Sequence, residues 1–230
     1  FGQKIEAQDI ANSGWNYTSP SSFITLSCWV KSSVAQNFYF NVKSHDGTQQ
    51  NFPFETGSLT ADTWTKITKT IPGNSNLQFD NNTSTGFELR FNLFLGTDFT
   101  ANGTSLDTWA AYAGGTHCPD FTSTWYTTND AIFELTGLQI EVSSFATDFE
   151  HRSFAQELEL CRRYFQIIGP ASGEAQNSSN IQGALRATPF MRANPSIAII
   201  DNSSNVGKSG ASPESVTSVG TIYVEGETTG

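Results

Sequence analysis

The residues best equipped for chemistry cluster in one long polar stretch between Gly96 and Asn129. It holds Trp109, Tyr112, His117, Cys118, Asp120, Phe121, Trp125 and Tyr126. Sugars present flat CH faces, and Trp and Tyr rings supply contact area at low entropic cost with a polar handle. One reading makes Trp109, Tyr112, Trp125 and Tyr126 a saccharide platform. The other has the same rings pinning down a long loop or packing against a partner subunit. A loop of this length in a compact domain is either functional or packed on itself.

His117, Cys118 and Asp120 bring three metal-ligand types close together, but a zinc site needs four well-spaced ligands and no second Cys or His cluster follows. His45 and His151 are isolated. Glu134 and Glu141 straddle a predicted bulge, yet a glycosidase pair is defined by distance and not by spacing. No nucleophile elbow, phosphate loop or zinc-protease helix is present. No catalytic residue and no metal ligand are assigned, and the chain reads as a non-enzyme.

These side chains need a frame, and alternation provides it. Residues 3–10 read as a first strand, with Ile5 and Ala7 on one face. Gly14 to Ser22 is a connector holding Trp15 and Tyr17. Ile24 to Lys31 follows, with Leu26, Cys28 and Val30 on one face, then Asn37 to Lys43 with Phe38, Phe40 and Val42 inward. Asp46-Gly47 is a hairpin turn signal. Trp64 to Ile71 is stopped by Pro72-Gly73-Asn74. Gly86 to Leu95 alternates most strictly, with Phe87, Leu89 and Phe91 inward. In Ala131 to Val142 the apolar parity switches between Leu135 and Leu138, which predicts a bulge at Gly137. Strands at this spacing indicate an antiparallel sandwich, with Phe38, Phe40, Phe87, Leu89, Phe91 and Ile140 in its core.

A helix follows. Ser153 and Gln156 form a capping box, and Phe154, Leu158, Cys161 and Phe165 recur at helical spacing as one apolar face that must dock on protein. Beyond Gly169 the texture becomes turn-rich, with short strands expected at 181–188, 196–201 and 219–225. So small a unit does not offset its own ordering entropy, and it predicts a homo-oligomer.

The segment LTGLQIEVSSFATDFEHRSFAQELELCRRYFQ resembles the one that closes a jelly-roll module in many tailed-phage fibre and tail proteins. In that family a GVQLEVG-like strand leads into PFEHRSYxEELxxCQRYY. Gly137 to Glu141, Phe149 to Ser153, Glu157, Leu158, Cys161 and Arg163-Tyr164 stand at matching positions. The similarity extends back through Trp64 to Asn74, Ile24 to Ser33 and Gln3 to Ile10. Asp148 replaces the family's proline, and Ser143-Ser144 its glycine-serine. The resemblance implies a mainly β protein: an antiparallel jelly-roll β-sandwich over 1–145 resembling carbohydrate-binding modules, a strand-to-helix connector over 146–168, and a small β extension over 169–230. It implies a structural component of a tail fibre or related virion appendage, with recognition of a host surface glycan. The rivals are a polysaccharide depolymerase and a pure virion scaffold. A trimer is the oligomer it favours, with other virion proteins as partners. His151 and Arg152 are read as bracing the junction, with Glu150 as charge partner. No cofactor is implied beyond a structural calcium, for which Asp46, Asp98 and Asp107 are the acids of suitable type.

Composition bounds the rest. A net charge of −10 argues against nucleic acid, because phosphate attraction needs basic patches. No run approaches the roughly 20 apolar residues of a membrane span, so no membrane insertion is expected. Three cysteines, Cys28, Cys118 and Cys161, are an odd number. Free thiols made in a reducing bacterial cytoplasm, then carried into the virion, are expected, with a Cys28–Cys118 bridge as the alternative. The chain starts at Phe1 and not Met, which suggests a missing N-terminal part; no signal peptide is visible.

Overall fold

The computed structural model describes residues 1–167, 174–175 and 181–182. The chain divides into two compact units, Phe1–Glu150 and His151–Gly230. The first is built from β1 (Gly2–Glu6), α1 (Ala7–Ala11), β2 (Phe23–Ser32), β3 (Asn37–Ser44), β4 (Gln50–Ser58), β5 (Thr65–Pro72), β6 (Thr85–Asn92), β7 (Ala110–Ala111), α2 (Thr124–Thr127) and β8 (Phe133–Glu141). All pairings are antiparallel. One sheet runs β1-β6-β3-β4-β7 and the other β5-β2-β8. Chain connections pass from sheet to sheet except at the β3–β4 hairpin and the short β7 edge. The orders β1-β6-β3-β4 and β8-β2-β5 are those of a jelly roll. Of its eight positions, the one beside β8 is not filled by described residues.

The core follows from alternation. Leu26, Cys28 and Val30 of β2, and Phe38, Phe40 and Val42 of β3 with Phe87, Leu89 and Phe91 of β6 and Phe52 and Phe54 of β4 in the larger sheet, are all buried. Phenylalanines meet edge to face: Phe40 lies 4.7 Å from Phe91 and 5.8 Å from Phe54, centroid to centroid. That geometry adds about 0.5–1.5 kcal/mol per pair beyond area burial. Ile140 is only half-buried, because among the described residues β8 pairs on one side alone, with β2.

Two local expectations are corrected and a third is met. The first strand stops at Glu6, and Ala7–Ala11 is a helical turn, with Ala7 and Ile10 buried. β4 has no counterpart in the sequence reading, because Pro53 interrupts it. Pro53 is tolerated because β7 pairs only with Gln50 and Asn51, so little of the ladder on that side needs a donor. The predicted bulge at Gly137 is present. The register shifts between Ser27 and Trp29 opposite Gln139 and Thr136, and Gly137 takes φ 59°.

After β8 the chain folds back over the outer face of β5-β2-β8. Thr25 Oγ1 donates to the Ser143 carbonyl at 2.8 Å, and the Glu150 N–H donates to Gln139 Oε1 at 2.8 Å. The Glu141 carboxylate accepts from the Thr147 N–H and hydroxyl. Those bonds hold its pKa below the usual carboxylate range, the Thr147 N–H first among them. Glu134 pairs with Lys31. Both strand acids thus have structural partners.

In the second unit, α3 (Phe154–Arg162) starts at the expected capping box: the Gln156 N–H donates to Ser153 Oγ, and the Ser153 N–H donates to Gln156 Oε1. Arg152 pairs with Glu157 at 3.2 Å. The expected burial of its apolar face is not seen. Phe154 is 80% and Phe165 69% exposed, and Leu158 and Cys161 are exposed too. The stripe runs about three turns, past the end of α3 to Phe165, and no described residue covers it. Two further short strands, β9 (Glu174–Ala175) and β10 (Ile181–Gln182), pair antiparallel. The strands expected over 183–188, 196–201 and 219–225 lie outside the described residues.

Candidate functional site

The outer face of β6-β3-β4 is polar by alternation, and the chain roofs it with its own long loop. Asn41, Lys43, Asn51, Glu88 and Asn92 point away from the phenylalanine core, yet all are buried. Buried amides must find partners, and these form a ladder across the strands. Asn92 Nδ2 donates to Asn41 Oδ1 at 2.8 Å, Asn41 Nδ2 to Asn51 Oδ1 at 2.7 Å, and Asn51 Nδ2 to the His117 carbonyl at 3.0 Å. The last bond hooks the loop to the sheet. Around it, Tyr112 Oη and His117 Nε2 lie 2.8 Å apart, and Lys43 Nζ sits 3.6 Å from the Tyr112 ring centroid. Burial, then the Arg90 and Lys43 charges, push the His117 pKa down. Burial pushes Glu88 up, but the bonds and charges of Arg90 and His45 outweigh it and the net shift is downward.

His117, Cys118 and Asp120 are absorbed by the same roof. Burial pushes the Cys118 thiol up to about 12, so it is neither a thiolate nor a nucleophile. Thr100 Oγ1 donates to Asp120 Oδ1 at 2.6 Å. Cys28, Cys118 and Cys161 are all free thiols. Asp46 accepts from the Asp80 N–H and Asp107 holds Lys69. Among the described residues no three His, Cys, Asp or Glu side chains gather around one point.

The four aromatic candidates are not one platform. No ring contact joins any of them to another. Tyr112 belongs to the roof. Trp125 packs against Phe38, its backbone N–H donating to Gln36 Oε1. Tyr126 stacks on Phe94 at 4.2 Å and 7°. Trp109 lies toward the other end of β4, on Phe52, with Nε1 donating to the Pro72 carbonyl at 2.7 Å.

Trp109 opens onto a cavity. This open cleft of about 550 Å³ is lined by Trp109, Ala110 and Ala111 on one side and by Thr48, Gln50, Asn76 and Gln78 around it. Three segments build it. The hairpin tip supplies Thr48, where Gly47 takes φ 58°. β7 is clipped to β4 at Gln50 and Asn51. The turn after β5 brings Asn76 and Gln78. A fixed indole ringed by amides and a hydroxyl presents one apolar surface and several orienting polar groups, in a cleft more polar than most small-molecule pockets. The polar members were not legible beforehand: they are isolated amides in turns, with no motif, and only the fold brings them to Trp109. No family model, curated protein or solved structure matches the chain.

Proposed function

We propose that this chain is a structural, receptor-facing module of a tailed-phage fibre or related virion appendage, and that it binds a host surface glycan in the Trp109 cleft. The cleft carries the glycan half of the reading. An indole pinned through Nε1 offers its ring to a sugar CH face without further ordering cost, and the surrounding amides match ring hydroxyls. The virion half rests on the resemblance of Gly137 to Glu141 and of Phe149 to Tyr164 to the jelly-roll closing segment of fibre proteins. Trimeric self-association and contact with other virion proteins belong to the same reading.

One specific observation favours a second reading, a scaffold with no ligand. Tyr112, Trp125 and Tyr126 are each committed to partners within the chain. The two readings separate on an array of bacterial surface polysaccharides probed with the purified chain. Glycan binding predicts retention on a subset and at least a tenfold loss with Trp109→Ala. Retention on none, with the chain folded, establishes the scaffold.

A further inference from the structure

Resting on the glycan-binding reading, we infer that the Trp109 cleft selects uncharged saccharides and rejects acidic ones. The reason lies in which hydrogen-bonding atoms are left over. Gln50 is almost wholly buried, and its Nε2 is turned inward to the carbonyls of Thr48 at 2.9 Å and Gln49 at 3.3 Å. Its Oε1 receives no described bond and is an acceptor held in reserve. Gln78 spends its Nε2 on Asp80 Oδ1 at 3.2 Å, and the Asp80 N–H in turn draws in Asp46 Oδ2 at 3.0 Å. Two carboxylates therefore stand behind the rim. No lysine or arginine lines the cleft. Asp107, two residues before Trp109, takes the Lys69 ammonium at 2.7 Å.

A neutral pyranose suits this inventory. Its hydroxyls donate to Gln50 Oε1, and its CH face lies on the indole. A uronic acid brings a carboxylate, which only accepts. The donors left on the lining, the Asn76 amide and the Thr48 hydroxyl, are neutral, so a carboxylate would give up its water beside the like charges of Asp80 and Asp46 with no cation to offset the loss. The chain's net charge of −10 acts in the same direction over longer range.

The test uses ¹⁵N-labelled full chain and two sets of probes of equal length: neutral hexaoses of glucose, galactose and mannose, and acidic hexaoses of galacturonate and mannuronate. The Trp109 indole N–H signal, one of five tryptophan signals, is assigned by its disappearance in Trp109→Phe. The same spectra report that the variant is folded. The expected result is a saturating shift of that signal with at least one neutral hexaose, and affinity at least tenfold weaker for both acidic ones. Asn76→Lys, an exposed change on the rim, is expected to narrow the gap, improving acidic binding several-fold relative to neutral binding. Acidic hexaoses binding as tightly as neutral ones would overturn the selectivity and leave the glycan reading intact. Binding that leaves the Trp109 signal unmoved would place the sugar elsewhere and overturn the assignment. Absence of binding by every hexaose, together with failure on the polysaccharide array, removes the glycan reading itself.

Discussion

Replacing Asn41 by Ala should be among the most costly single changes in the sandwich, although Asn41 touches none of the phenylalanine core's centre. Its side chain is fully buried and stands in the middle of the amide ladder, accepting from Asn92 and donating to Asn51. Truncation removes both bonds and orphans two buried atoms, Asn51 Oδ1 and Asn92 Nδ2. Each such orphan costs about 1–3 kcal/mol. Two give about 2–6 kcal/mol, and partial entry of water brings the expectation to roughly 3 kcal/mol. For a chain of this size that is a fall in Tm of about 6–12 °C. Urea unfolding followed by tryptophan fluorescence measures it. Asn41→Asp keeps the volume but turns an oxygen toward Asn51 Oδ1, so it should destabilise comparably, which separates lost bonding from lost packing. Asn51→Ala should also unhook the loop, raising amide exchange at His117 and Cys118. A loss below about 0.5 kcal/mol for Asn41→Ala would mean that the ladder is already solvated, and would refute the view of the loop as a sealed roof.

Three further outcomes are expected. Gly137→Ala forces a side chain into φ 59°, with its Cβ 3.4 Å from Trp29 Cδ1, and should cost more than about 1 kcal/mol in the same unfolding assay. Stability should fall on acidification in two stages. His117 has a folded pKa below its ordinary 6.5, so the unfolded chain takes up its proton first and stability declines as pH drops below about 6.5. Glu88, depressed below its ordinary 4.5, withdraws its contribution below that value. His117→Gln should flatten the first decline, below about pH 6.5, and leave the lower one in place. Ser153→Ala removes the α3 capping box and should cost about 1 kcal/mol of helix stability, read as lost helical signal in circular dichroism.

The sandwich was legible where one strand face is apolar and the other polar. β2, β3 and β6 show this, and Gly137 even announced its bulge through a switch of parity. β4 was hidden because Pro53 and Gly57 break its pattern. Its place is secured by Phe52 and Phe54 packing on partners far along the chain, which no local window displays. The α3 cap was readable because it is a contact between residues three apart. Burial of the α3 face was not, since periodicity marks an apolar stripe without naming what covers it. Trp109 could be singled out by residue type. Its separation from Tyr112, Trp125 and Tyr126, and its company of Thr48, Gln50, Asn76 and Gln78, are products of the β4–β7 clip and the turn after β5. The amide ladder was equally invisible, because asparagines on an outward face read as solvated until a loop is laid over them.

The way that loop is fastened has a consequence for change over generations. The Asp107 N–H is tied to the Pro53 carbonyl, the Tyr112 N–H to that of Gln49 and the His117 N–H to that of Phe99, so the intervals between ties are mechanically independent. Ala113 to Thr116 is one such interval. All four residues are exposed, and a side chain added at Gly114 would meet nothing within 4 Å. Substitutions and insertions there can accumulate without disturbing the strands, a few residues from the rim of the Trp109 cleft. A lineage under pressure to follow a changing surface could rewrite this interval while keeping the rest of its sequence. A protein engineer could use the same gap to display a grafted peptide.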